Sequence, residues 1–208
     1  MKTKSAARRQ AIVDAATELF RQTGFERTSM AEICARVGGS KATLYNYFPS
    51  KEELFLEVMV QSTHAQLRAI LGALATTHVG IGDALRYFGE KLLALIYAPD
   101  LLALRRLAIA EATRSNFGEI CHERGRKHGE TLIAGFLRNA MDEGKLRQAD
   151  PMIAVAHLLG LLESELFEYM HRHTTEPIAE QRIREVTARA VAVFLAAYGA
   201  EQNPSATR

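Results

Sequence analysis

Between positions 40 and 47 the chain sets Ser40, Lys41, Ala42, Thr43, Tyr45, Asn46 and Tyr47 almost side by side, with only Leu44 interrupting. On a helix entering a major groove, small residues near the N-terminus allow close approach. Ser40 and Ala42 are such residues. Lys41 would donate to guanine O6 or N7. The hydroxyls of Thr43, Tyr45 and Tyr47 would hold phosphate oxygens. Lys51 and the free amides after Ser50 would add a second anion site at a helix start. The same residue types have plainer uses: Tyr45 and Tyr47 suit half-buried positions, and Asn46 suits a C-terminal cap.

Positioning such a helix takes the elements around it. A first helix is expected over residues 5–23, with Ile12, Ala16, Leu19 and Phe20 on one apolar stripe. Gly24 stops it and Phe25 packs back. Ser29 and Glu32 form a capping box for a second helix ending near Val37, and Gly38-Gly39 makes a tight turn. Ser40 caps the short third helix, with Leu44 and Phe48 turned inward. Ser50 and Glu53 form another box, opening a long helix to about Ala75. Two short helices joined by a glycine turn behind a basic helix form a helix-turn-helix pattern.

Charge follows the same division. The 208 residues carry a net charge of only +2. Residues 1–51 hold nine bases against four acids, a net +5; the rest hold seventeen against twenty, a net −3. A basic head sits on a slightly acidic body.

The stretches Ala11-Ile12-Val13-Asp14-Ala15-Ala16, Leu19-Phe20, Gly24-Phe25 and Thr28-Ser29-Met30-Ala31-Glu32-Ile33 resemble the TetR family of transcriptional repressors. So does the run from Val37 through Tyr45-Asn46-Tyr47-Phe48-Pro49-Ser50-Lys51 to Phe55. The resemblance is dense over residues 8–56. It implies an operator-reading third helix, a phosphate-binding lysine at the start of the fourth, and a helical ligand-binding, dimerising C-terminal domain. Carried over residue by residue, the DNA contacts are Thr28, Ser40, Lys41, Ala42, Thr43, Tyr45, Asn46, Tyr47 and Lys51. One departure is Gly39, where the family usually has a small apolar residue; glycine there predicts a looser turn.

Beyond residue 56 the likeness is to an architecture, with 104–111 and 146–151 resembling one C-terminal subtype. Helices are expected over 83–97, 100–114, 116–143, 151–171 and 177–198, with a frayed polar tail from Ala200. Asp100 and Asn116 are the expected caps of two of these helices, Asp150-Pro151 opens the fourth, and Pro177 starts the last. Leu158, Leu159, Leu161, Leu162, Leu166 and Phe167 crowd one closing helix; Val186, Ala190, Val193 and Phe194 line the other. Small residues on the last helix (Ala188, Ala190, Ala192) would pack closely across a two-fold axis, giving a four-helix dimer interface. An effector pocket between helices would draw on Phe88, Leu92, Leu107, Phe117, Cys121, Phe136 and Tyr169, with Glu111 and Asn116 nearby. Each also serves as plain core or surface, so none is assigned to a ligand.

Other chemistries find little support. There is no Gly-rich phosphate loop, nucleophile elbow or His-Glu-x-x-His, and Glu163 and Glu165 are too close in sequence to share a helix face. Seven histidines, Cys121-His122 and His128 among them, show no recognised ligand spacing. Cys34 reads as core; a redox role for Cys121 would require exposure and a depressed pKa. No run approaches the roughly 20 apolar residues of a spanning helix. The expectation is an all-α protein of about nine helices. Residues 1–51 form a three-helix helix-turn-helix DNA-binding domain, and 52–208 an effector-binding, dimerising domain. It would be a cytoplasmic regulator, not an enzyme, with no cofactor, metal or membrane partner. Its partners would be operator DNA, a second copy and a small molecule. A helical interaction module without DNA binding is the competing reading.

Overall fold

The structure, a computed structural model, describes residues 2–75, 79–112, 115–171 and 176–200. Helices α1 (Lys2–Arg27), α2 (Met30–Val37), α3 (Lys41–Tyr47) and α4 (Lys51–Ala75) come first. They are followed by α5 (Ile81–Ile96), α6 (Pro99–Glu111), α7 (Phe117–Cys121), α8 (Lys127–Asp142), α9 (Pro151–Glu163) and α10 (Glu180–Tyr198). A π-helical turn, His122–Arg126, joins α7 to α8 in one rod. Counting that rod once gives nine helices among the described residues. The one strand-like feature there is an isolated bridge between Leu146 and Gly199.

Local chemistry sets the helix ends of the head. Gly24 interrupts α1 at φ 78°, ψ 164°, a conformation that glycine adopts without Cβ strain. Ser29 and Glu32 complete the capping box: Ser29 Oγ accepts from Glu32 N–H, and Glu32 accepts from Ser29 N–H at 2.8 Å. Ser40 Oγ accepts from Thr43 N–H at 3.1 Å. Ser50 Oγ accepts from Glu53 N–H at 3.1 Å and starts α4.

The expected looseness at Gly39 is not what the turn shows. Gly39 sits at φ +125°, which L side chains rarely adopt, so glycine is required there. Arg8, reaching from α1, donates to Gly38 O and to Val37 O, and Cys34 Sγ lies 3.4 Å from Gly39 O. The turn is pinned from two sides.

Two apolar cores divide the molecule. One gathers Ile12, Val13, Ala16, Phe20, Ile33, Leu44 and Phe48 with Leu54, Phe55, Leu56 and Val58 of α4, plus Leu104 and Phe117 from the body. The other packs α5, α8, α9 and α10 around Leu85, Phe88, Leu137, Leu158, Leu162 and Phe194. The head core therefore continues through α4 past residue 51 and borrows two body side chains.

Several boundaries in the body differ from expectation. Pro99 opens α6 after Ala98, so Asp100 lies in the first turn and does not cap. Asn116 makes no cap bond; Ser115 Oγ accepts from Phe117 N–H instead. The single helix expected over 116–143 is interrupted by the π turn. Asp150 does cap α9, accepting from Met152 and Ile153 N–H. That helix stops at Glu163, and a separate 3-10 turn covers Phe167–Met170. The last helix starts at Glu180, three residues after Pro177. The expected end of α6 at Arg114 and the tail beyond 200 fall outside the described residues.

Gly39→Val forces a β-branched residue into this disfavoured backbone region and is expected to lose about 1–3 kcal/mol of stability. Thermal denaturation beside wild type checks this.

Candidate nucleic-acid interface

The third helix presents one buried side and one open side. Leu44 and Phe48 are 3% and 1% exposed and anchor it in the core shared by α1, α2 and α4. Lys41, Ala42, Tyr45 and Asn46 are exposed, and Thr43 and Tyr47 are half-buried. Tyr45 is nearly half exposed despite its ring, at 47%. Tyr47 reaches back, its hydroxyl 3.4 Å from Ser5 Oγ. Asn46 lies inside the last turn, and Phe48 takes the C-cap position expected of it. Ser40 is exposed, but its oxygen is engaged by Thr43 N–H and lies 2.9 Å from Thr43 Oγ1.

Two expected contacts sit differently. Thr28 is only 2% exposed. Its hydroxyl donates to Gly24 O at 2.8 Å and pairs with Thr23 Oγ1 at 2.7 Å. Thr28 thus locks the corner between α1 and α2, and its side chain is not on the surface. Lys51 Nζ donates to Phe25 O at 2.9 Å and Glu26 O at 3.3 Å, and lies 4.2 Å from the Phe25 ring centroid. It satisfies carbonyls at the C-terminal end of α1 with a cation, the favourable sign at that end of a helix dipole.

The head is tied to the long fourth helix by a bidentate pair. Arg9 donates to Glu57 at 2.9 and 2.7 Å, and its guanidinium lies 4.8 Å from the Phe48 ring centroid. Hydrogen bonding from Arg9 is the main force holding the Glu57 carboxyl below its usual range, against burial, with Gln61 assisting. Sequence reasoning missed this pair because 48 residues separate its members and charge alone does not choose partners.

Behind the head lies a cavity of about 830 Å³. Its wall includes Leu56, Met59, Val60, Thr63, His64 and Leu67 of α4, and Leu104, Arg105 and Ala108 of α6. The α7–π–α8 rod adds Cys121, Gly125 and Gly129, and α9 adds Leu159, Gly160 and Glu163. Of the side chains weighed for a pocket, Leu92 and Cys121 line it. Phe88 is fully buried in the body core, and Phe136 stacks on it at 6.2 Å. Leu107 and Phe117 belong to the head core, and Tyr169 packs edge-on against Tyr97. A signal for the wall in the sequence was Gly118: a Cβ there would lie 3.0 Å from Ala108 O, so glycine lets the rod lie close to α6.

Burial pushes the Cys121 thiol up to about 11, so it stays protonated at neutral pH and lacks the thiolate a redox sensor uses. Among the described residues no three His, Cys, Asp or Glu side chains come together to hold a metal ion. No described helix is long and apolar enough to cross a membrane.

Comparison with known proteins matches residues 12–58 to the bacterial regulatory proteins of the tetR family. Residues 83–200 match the C-terminal domain of AefR-like transcriptional repressors. The chain belongs to the TetR family. TetR-family members are non-enzymatic DNA-binding regulators that act as dimers. A TetR-family regulator from Mesorhizobium loti superposes with a TM-score of 0.74 at 30% identity, covering 94% of this chain and 98% of that one. The flavonoid-responsive regulator FrrA gives 0.62 at 29% identity, covering 94% and 99%. The nucleoid occlusion factor SlmA of Pasteurella multocida is 28% identical over 85% of this chain and 91% of its own.

The Arg9–Glu57 pair carries a pH signature. Glu57 has a depressed folded-state pKa, so its contribution is present above the ordinary value of 4.5 and is lost as pH falls through the folded value. Glu57→Gln is expected to cost about 1 kcal/mol at pH 7, discounted for the partial exposure of Arg9. The gap to wild type should close below pH 4.5. Denaturant titrations of both proteins from pH 7 to pH 3 read it directly.

Proposed function

We propose that this TetR-family protein is a cytoplasmic repressor that binds a palindromic operator as a dimer and is released by a small-molecule effector. The observation carrying this reading is the wall shared by head and cavity. Leu56 and Leu104 belong to the head core and also line the cavity. A molecule entering the cavity touches the same side chains that seat α1 and α3. It can therefore favour a state in which the heads no longer meet both half-sites. The flavonoid-responsive neighbour supports a small-molecule trigger.

Operator contact is assigned to Lys41, Ala42, Thr43, Tyr45, Asn46 and Tyr47, with Ser40 shaping the helix start. Lys41 is the base-reading donor. Lys51 serves phosphate through the helix start it occupies, and holds the end of α1 as well. Thr28 acts through the corner it locks.

The dimer forms through α9 and α10. Met152, Ile153 and Ala156 on α9 and Ala188, Ala192 and Val193 on α10 are all exposed. Ile153 and Val193 exceed 50% exposure, which leaves an apolar, small-residue strip for a second copy. Ala190, expected on this strip, is buried in the body core.

Selection from a random duplex pool should recover an inverted repeat with half-sites about one helical turn apart. On that duplex, measured by fluorescence anisotropy, affinity should fall steeply with salt. Lys41→Ala should flatten the preference for the selected sequence over a shuffled one. Lys51→Ala should weaken both alike and lower thermal stability by about 1 kcal/mol. Equal wild-type affinity in both variants would remove this helix from the interface. Val193→Asp should give a monomer in analytical ultracentrifugation and lose operator binding; a dimer would place the interface elsewhere.

A further inference from the structure

The wall of the cavity contains more ionised groups than an apolar pocket requires, and they occur in matched pairs. Arg105 of α6 is ion-paired with Glu163 of α9, and also donates to Ile96 O at 3.3 Å. Arg126 of the π turn is paired with Glu130 of α8 at 2.7 Å. The remaining inner polar groups are Thr63, the Cys121 thiol and His64, while His122 and Ser164 lie at the exposed rim. Ser164 Oγ already donates to Leu161 O at 2.8 Å.

His64 is 9% exposed, with Nε2 3.1 Å from Gly125 O. A carbonyl only accepts, so Nε2 carries the proton in that bond. Burial is the main cause lowering the pKa of this ring, with the neighbouring His128, 4.3 Å away centroid to centroid, adding to it. Cys121 is also uncharged, as described above. The lining therefore holds two positive and two negative side chains, each neutralised by its partner.

We infer that the effector site takes an uncharged, mostly apolar molecule with a single polar end, which docks beside the Arg105–Glu163 pair. This rests on the effector reading above and names the chemistry of that site. The other side chains of the wall are Leu, Ile, Val, Met, Ala and Phe, interspersed with glycines, and these side chains offer a ligand contact area and no hydrogen bonds. A carboxylate or ammonium would lose its hydration there and find every counter-charge already taken. An uncharged hydroxyl or carbonyl can share the outer edge of the pair without breaking it. The volume, about 830 Å³, is that of a site for a drug-sized molecule.

The experiment uses the full chain without DNA and three fluorescent probes of one shape: 1-pyrenemethanol, 1-pyrenecarboxylate and 1-pyrenemethylammonium. At pH 7 the alcohol should saturate at one per subunit and bind at least about tenfold more tightly than either ion. Thr63→Trp, which fills the cavity from α4, should abolish binding while keeping the thermal midpoint. Glu163→Gln leaves Arg105 without its counter-charge and should reverse the order, so that the carboxylate binds best. Preferential binding of an ion to wild type, or unchanged order in Glu163→Gln, overturns the inference and leaves the repressor reading standing. Undiminished binding of the alcohol to Thr63→Trp also overturns it. Failure of all three probes to saturate removes the ligand site, and with it the release mechanism proposed above.

Discussion

Leu56 has two sets of neighbours. On one side it closes the core that holds α1, α2 and α3 together, and on the other it faces the cavity. This follows from α4 being one continuous helix from Lys51 to Ala75. A straight helix of 25 residues spans nearly 40 Å at about 1.5 Å per residue, enough to serve both cores. Leu54, Phe55 and Val58 commit its first two turns to the head, and Leu67 and Leu74 commit its far half to the body. Leu104 and Phe117 reach into the head core from the body side. The head is therefore not an independent module on a linker. Its core is closed in part by Leu56 and Leu104, which also line the cavity.

The electrostatics follow the same division. Lys51 and Arg9 tie the head together from within, to the end of α1 and to Glu57 of α4. Lys41 stands on the open side of α3. The net +5 of residues 1–51 overstates the charge of the head by one, since Arg9 is neutralised by Glu57, which lies beyond residue 51. A modest positive head gains affinity by acting in pairs, as the dimers of TetR-family regulators do.

Much of the head was legible from sequence because its signals are local. Ser29 with Glu32 and Ser40 each specify a helix start within four residues and act as read; Gly24 breaks α1 but the helix resumes to Arg27, and Ser50 caps Glu53 N–H without the return bond of a box. Leu44 and Phe48 followed from helical spacing. Thr28 was expected to face DNA, yet its hydroxyl turns to the carbonyl of Gly24; a hydroxyl at a helix corner reads alike in either setting. Gly39 was read as looseness because the clamp from Arg8 lies 31 positions away. The body was less legible for the same reason. The π turn breaks a helical pattern that shows no proline, and the wall of the cavity depends on α4, α5, α6, α9 and the α7–α8 rod meeting. Large aromatics suggested a pocket, yet Phe88 and Phe136 fill core, while glycines and leucines leave the space open.

If the shared wall couples the two sites, filling the cavity must move the heads. Spin labels at Gln22→Cys, an exposed position on α1, report the separation of the two heads in the dimer. Native Cys34 is buried and the Cys121 thiol is protonated, so labelling is selective for the introduced site. Pulsed electron resonance is recorded with and without saturating 1-pyrenemethanol. A shift of the distance distribution to a new separation, absent in Thr63→Trp, is the predicted result. An unchanged distribution with the cavity demonstrably filled would contradict the account.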